Sequence, residues 1–108
     1  MTFSVHILRR ATSDADAIFH WIAARSPAGA ARWYAAFLSA AHDLSNNPFR
    51  FGISPESEAI GRDVRHRFFK TRRGRVYRLL FLVVGDEVRI LRVRGPGQAP
   101  VRFDEMDS

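Results

Sequence analysis

The stretch Val76-Tyr77-Arg78-Leu79-Leu80-Phe81-Leu82-Val83-Val84-Gly85-Asp86-Glu87-Val88-Arg89-Ile90-Leu91-Arg92-Val93 decides the fold. Two runs rich in Val, Ile, Leu and Phe flank Gly85-Asp86, a pair suited to a tight II′-type hairpin turn. That loop sets Val83 opposite Val88, Phe81 opposite Ile90 and Leu79 opposite Arg92. Tyr77, Leu79, Phe81 and Val83 then share one face with Val88 and Ile90, because alternate side chains of a strand point the same way. Arg78, Leu80 and Leu82 share the other face with Leu91 and Val93. The first strand is apolar on both faces, the mark of a central strand covered on both sides. A small domain can cover one face with its own helices. What covers the other is a question of function.

Upstream, Phe3-Ser4-Val5-His6-Ile7-Leu8 alternates as a strand, with Phe3, Val5 and Ile7 toward the core and His6 at the surface. Thr12-Ser13-Asp14-Ala15-Asp16 offers a capping-box-like helix start through Ser13 and Asp16. Ala15, Ile18, Phe19 and Ile22 form the apolar face of that helix, while Trp21 stands off the stripe. His20 follows Asp16 by one helical turn, the spacing of a local surface pair. Ser26-Pro27 is a break and restart, with serine at the N-cap and proline in the first helical position. The second helix runs to about Asn46 with Ala30, Trp33, Tyr34, Phe37, Ala41 and Leu44 on one side and Leu38 widening the stripe. Asn46-Asn47-Pro48 ends it. The two helices form a hairpin with a very short connection.

Phe49 to Gly61 shows no period and reads as a loop. Val64 to Lys70 resumes a strand pattern, and Arg72-Arg73-Gly74 turns into the central strand. After Val93 the Gly- and Pro-rich run Arg94 to Pro100 excludes regular structure. The end from Phe103 is acidic and expected to be mobile. The order strand, helix, helix, strand, strand, strand defines an α+β domain over residues 1–95 with a tail over 96–108. Its antiparallel sheet carries the helical hairpin on one face.

At 108 residues the chain has room for one core, and 46% apolar and 12% aromatic residues exclude a disordered protein. The lack of cysteine excludes disulfides and thiolate metal sites and fits a reducing cytosol, the expected location. No apolar run reaches the roughly 20 residues that span a membrane. The N-terminus lacks the basic-then-apolar pattern of a secretion signal, so export is not expected. No metal and no cofactor are expected either.

The net charge is +6, and sixteen of the seventeen basic residues are arginine, with Lys70 the exception. High genomic GC content favours arginine over lysine without selection, so distribution is more informative than count. Arg62, Arg65, Arg67, Lys70, Arg72, Arg73, Arg75 and Arg78 lie within one short stretch against a single acid, Asp63. Such clustering attracts an anionic partner, either nucleic acid or an acidic protein segment.

These residues resemble the RelE/ParE superfamily of bacterial type II toxins. The resemblance is carried by Ala15-Asp16 through Ile22, by Ser26-Pro27 and Ala31-Arg32 opening the second helix, and by Leu44 with Asn47-Pro48 closing it. It continues through Val76-Tyr77-Arg78-Leu79-Leu80-Phe81 and Glu87-Val88-Arg89-Ile90-Leu91-Arg92-Val93, and spans about residues 3–95. It implies a toxin held inactive in a hetero-oligomer by a cognate antitoxin that wraps it with an acidic segment. Arg65, Arg67, Lys70, Arg72, Arg73, Arg75, Arg78, Arg92 and Arg94 are the candidates for contacting antitoxin or target.

Two activities compete within the superfamily. RelE-like members cut mRNA on the ribosome, which requires a proton acceptor, a proton donor and cations at the phosphate. For that chemistry the candidates are Arg65, His66, Lys70, Arg78 and Arg94. Gly95, however, stands where many relatives carry a histidine, Phe103 has no hydroxyl, and arginine is a poor proton shuttle. ParE-like members instead poison DNA gyrase and lack this catalytic set. The resemblance favours the ParE-like branch, with the ribosome-dependent endonuclease as the alternative. A small basic nucleic-acid-binding module is a third reading. Against it, the chain has no helix-turn-helix, zinc spacing or aromatic RNA-stacking motif.

Overall fold

A computed structural model describes residues 2–98; the expectations for the acidic tail beyond Gln98 lie outside the described residues. The elements are β1 (Ser4–Ile7), α1 (Arg9–Ala23), α2 (Pro27–Asp43), a 3₁₀ turn (Pro48–Arg50), α3 (Glu56–Ile60), β2 (Arg65–Phe69), β3 (Tyr77–Val84) and β4 (Glu87–Arg94). The strands form one sheet in the order β1-β4-β3-β2, so β3 is a central strand as its apolar sequence requires. β2, β3 and β4 are antiparallel, but β1 pairs parallel with β4, and the sheet is mixed rather than antiparallel. A helical crossover between β1 and the rest of the sheet permits parallel pairing, which no tight turn allows.

The β3–β4 hairpin turns at Gly85, whose φ of 61° suits glycine. Val83 lies opposite Val88 and Phe81 opposite Ile90, as the turn predicts. Beyond them the register shifts by a bulge between Leu80 and Phe81, so Leu79 faces Val93 instead of Arg92. The extra residue on β4 returns Val93 to the helix-covered face and leaves Leu91 on the other. Tyr77, Leu79, Phe81, Val88, Ile90 and Val93 therefore join Trp33, Phe37 and Leu44 in the main core. Phe3, Val5 and Ile7 pack against it from β1, and Ile18, Phe19 and Ile22 from α1.

The helices differ from their sequence reading in two respects. α1 begins at Arg9 with no side-chain cap, not at Ser13, because β1 runs straight into it. Leu8 donates its N–H to Ile90 and accepts the first helical bond from Thr12. Ser13 and Asp16 thus lie inside the helix rather than at its start, and Asp14 between them takes tertiary partners in Arg92 and the Val93 N–H. On α2, Ser26 is the N-cap and its Oγ accepts from the Gly29 N–H at 2.9 Å. Tyr34 and Leu38, assigned to the buried stripe, are exposed.

The segment read as a loop contains α3 and is a structural cover. Ser57 Oγ donates to the Val64 carbonyl and accepts from the Val64 N–H, both at 2.8 Å. Gly61, at φ 77°, ends the helix. Five residues are too few to show a helical period, so this element has no pattern in sequence. It brings Ile60 and Val64 onto Leu80, Leu82 and Leu91, so the chain itself covers part of the second sheet face.

Candidate functional site

On that second face, α3, β2 and β3 assemble a charged cluster beside the small apolar core. Arg78 on β3 donates from both terminal nitrogens to Glu56 on α3, at 2.9 Å to Oε1 and 2.6 Å to Oε2. This is a bidentate pair. Glu56 is 1% exposed and sits at the first turn of α3, where the helix dipole favours an anion. The guanidinium nitrogen that meets Oε1 also lies 3.3 Å from His66 Nδ1. Facing a cation that carries only donors, Nδ1 accepts, and the proton of the neutral ring sits on Nε2. Burial pushes His66 below its ordinary value of 6.5, and the Arg78 charge adds to the shift against a smaller opposing pull from Glu56. The imidazole is thus held neutral near pH 7, an acceptor rather than a ready proton donor.

The basic residues singled out in sequence divide into three groups. Arg65 and Arg67 point to the helix side and are engaged there. Arg65 donates to the carbonyls of Phe49 and Phe51, and Arg67 pairs with Asp43 at 3.0 Å. Burial alone would raise the Asp43 carboxyl, but Arg50 and Arg67 together hold it below the ordinary carboxylate value. Arg92 is bound by Asp14 through contacts of 2.7 and 2.9 Å, and Asp14 also accepts from the Val93 N–H at 2.9 Å. Asp14 thus occupies the edge of β4 past the end of β1. Arg94 is 9% exposed and lies opposite Arg78 in the β-ladder, so only His66, Arg78 and Arg94 of the nuclease candidates share one neighbourhood. Lys70, Arg72, Arg73 and Arg75 are exposed around the β2–β3 turn.

Gly95 explains itself through packing. A Cβ there would come within 3.2 Å of the Tyr77 ring, so a larger residue at 95 requires Tyr77 to shift. Burial raises the Tyr77 hydroxyl above its ordinary value of 10.0, with Arg75 opposing.

A second feature lies where the helical hairpin meets the β2–β3 turn. A cavity of about 550 Å³ is bounded by Trp21, Trp33 and Tyr77 and rimmed by Arg32, Arg72, Arg73 and Arg75. A neighbouring hollow of about 420 Å³ shares Trp21, Arg75 and Tyr77 and continues to Gly95, Pro96 and Gln98. Trp21 is 57% exposed, with the Arg25 guanidinium 4.0 Å over its ring. It does not pack into the hairpin. The sequence reading missed Glu56 and the cavity role of Trp21. An aromatic residue off its helix stripe was the one signal for Trp21; Glu56 had none. Among the described residues no group of three or more histidines and carboxylates could hold a metal. No described helix is long and apolar enough to cross a membrane.

The helical hairpin on a short sheet and the cationic β2–β3 turn are in keeping with the resemblance that the sequence carries. The family model for the ParE toxin of type II toxin–antitoxin system, parDE, matches residues 5–100. The chain belongs to the ParE toxin family. Among solved structures it is similar to the chromosomal ParDE TA system from P. aeruginosa, at 26% identity and a TM-score of 0.64. That similarity covers 87% of this chain and 96% of the other. No curated protein matches the chain.

Proposed function

We propose that the chain is a toxin neutralised by a cognate antitoxin, acts on DNA gyrase in the cytoplasm, and does not cut mRNA. The Arg78–Glu56 pair is the observation that carries this reading. The arginine that a RelE-like nuclease would present to phosphate is engaged by a buried carboxylate at 2.9 and 2.6 Å. Its neighbour His66 is biased to the neutral form, and Gly95 stands directly after β4, where many relatives of the resembled superfamily carry a histidine. Membership of the ParE family supports the antitoxin, and the family resemblance supports gyrase.

Purified toxin added to gyrase in a supercoiling assay is expected to inhibit it. Brief induction in bacterial cells should arrest growth without creating new mRNA 5′ ends. New breaks at translated codons would replace this reading with the ribosome-dependent nuclease.

A further inference from the structure

Gly95-Pro96-Gly97-Gln98 closes a turn directly after β4. Pro96 presets one corner, Gly97 takes the other at φ 79°, and the Gln98 N–H donates to the Gly95 carbonyl at 3.4 Å. The Gln98 side chain accepts from the Gly95 N–H and locks the turn from the other side. Gln98 thereby becomes part of the wall of the hollow of about 420 Å³, together with Trp21, Arg75 and Tyr77. The last three also line the larger cavity, so Gln98 stands at the mouth of one continuous groove.

The groove carries charge that the described residues leave unmatched. Arg65, Arg67, Arg78 and Arg92 are each held by a carboxylate or carbonyl of the chain. Arg32, Arg72, Arg73 and Arg75 meet no such partner among the described residues, and all four are exposed. The sequence that follows Gln98 has the opposite sign. Asp104, Glu105 and Asp107 are the densest cluster of acids in the chain, opposed only by Arg102, and Phe103 and Met106 stand among them. An aromatic ring flanked by carboxylates complements a hollow with apolar walls and a cationic rim.

Reach permits the match. Phe103 is five residues beyond Gln98, and an extended chain covers about 3.3–3.6 Å per residue, so its ring can lie up to roughly 17 Å from the turn. A cavity of about 550 Å³ is on the order of 10 Å across, within that radius. So short a tether gives an effective concentration in the millimolar range, and contacts too weak to hold a free peptide then suffice.

We propose that the acidic end of this chain folds back into the groove and plugs it. The Phe103 ring enters the apolar hollow beside Trp21 and Tyr77, and Asp104, Glu105 and Asp107 meet Arg72, Arg73 and Arg75. The plug shields the cationic rim from polyanions, and an anionic partner of the groove must displace it. Such a plug operates whichever target the toxin has.

The sequence has no cysteine, so Ser108→Cys carries a spin label at a single position of the full chain. The label is expected to broaden the indole N–H resonances of Trp21 and Trp33 and the amide of Gly74. It should spare Gly85, beyond the far end of β3. Replacing Arg72, Arg73 and Arg75 together with glutamine, all at exposed positions, should abolish the broadening. Inorganic polyphosphate then measures the shielding. Phe103→Ala leaves the net charge unchanged and should raise polyphosphate affinity about tenfold, the factor for opening a groove closed about nine-tenths of the time. In the variant without the three arginines the same substitution should have no effect. Broadening absent from the groove, broadening that persists without the arginines, or an unchanged affinity in Phe103→Ala would overturn the proposal. So would an affinity gain that survives the loss of the arginines. Broadening carried from a spin-labelled copy to an isotope-labelled one in a mixed sample would also overturn it, since the tail of a second copy would then be the occupant.

Discussion

Arg78 and Glu56, 22 residues apart in sequence, form a two-pronged ion pair that ties the central strand to a five-residue helix. The carboxylate side chain is fully buried and the guanidinium nearly so, at 0% and 15% exposure. This pair pins α3 over the second sheet face and removes Arg78 from the cations offered to a ligand.

Removing either partner leaves a charge in a site built for two. Glu56→Ala should destabilise the fold by about 3–5 kcal/mol, the usual loss when a buried pair is broken from one side. The double replacement Glu56→Leu with Arg78→Met should lose much less. Chemical denaturation of the single and double variants measures the difference, and equal losses would deny the coupling.

His66 gives this cluster a pH dependence of definite sign. Its folded-state pKa lies below the ordinary 6.5, so the folded chain binds fewer protons than the unfolded chain as pH falls. The stability it contributes is complete above 6.5 and is lost as pH drops through the folded value. His66→Gln should therefore reduce the loss of stability between neutral and mildly acidic pH. Denaturation at several pH values checks this, and parallel curves for the two proteins would refute it.

Asp14 accepts from Arg92 twice and from the Val93 backbone once. Asp14→Ala should destabilise the protein by about 2–3 kcal/mol, in the range of hydrogen bonds to charged groups. Asp14→Asn keeps an acceptor for Val93 and should lose less. The ranking is measured by denaturation; the reverse order would show that the strand edge needs no acceptor.

Two aromatic positions separate core from surface. Phe81→Ala and Phe37→Ala should each lose about 3–5 kcal/mol as buried truncations. Trp21→Ala should shift stability by less than about 1 kcal/mol, since its ring is mostly in solvent. A large loss at Trp21 would mean that it supports the hairpin.

The cationic turn should govern how fast a partner arrives. Neutralising Arg72, Arg73 and Arg75 is expected to slow association with the antitoxin at low salt more than it speeds dissociation. Rapid-mixing kinetics against ionic strength test this, and an unchanged on-rate would assign the charge to another role.

Local physics made much of this protein legible in its sequence. Ser26-Pro27 specifies a helix start because one side chain supplies the acceptor and one ring presets φ, without help from distant residues. Gly85-Asp86 places the hairpin, and the alternation of β3 assigns Leu79 and Phe81 to one face. The basic turn is likewise a matter of composition. Tertiary structure alone decided which charges are spent and which are free. Arg92 finds Asp14 across 78 residues and Arg78 finds Glu56 across 22, and no spacing rule links such partners. The bulge that returns Val93 to the core and the parallel docking of β1 belong to the same class. Each depends on packing and hydrogen bonding between segments that meet only when the sheet is complete. The candidate site was readable as a reservoir of positive charge; folding decided which part of it stays exposed, at Arg72, Arg73 and Arg75.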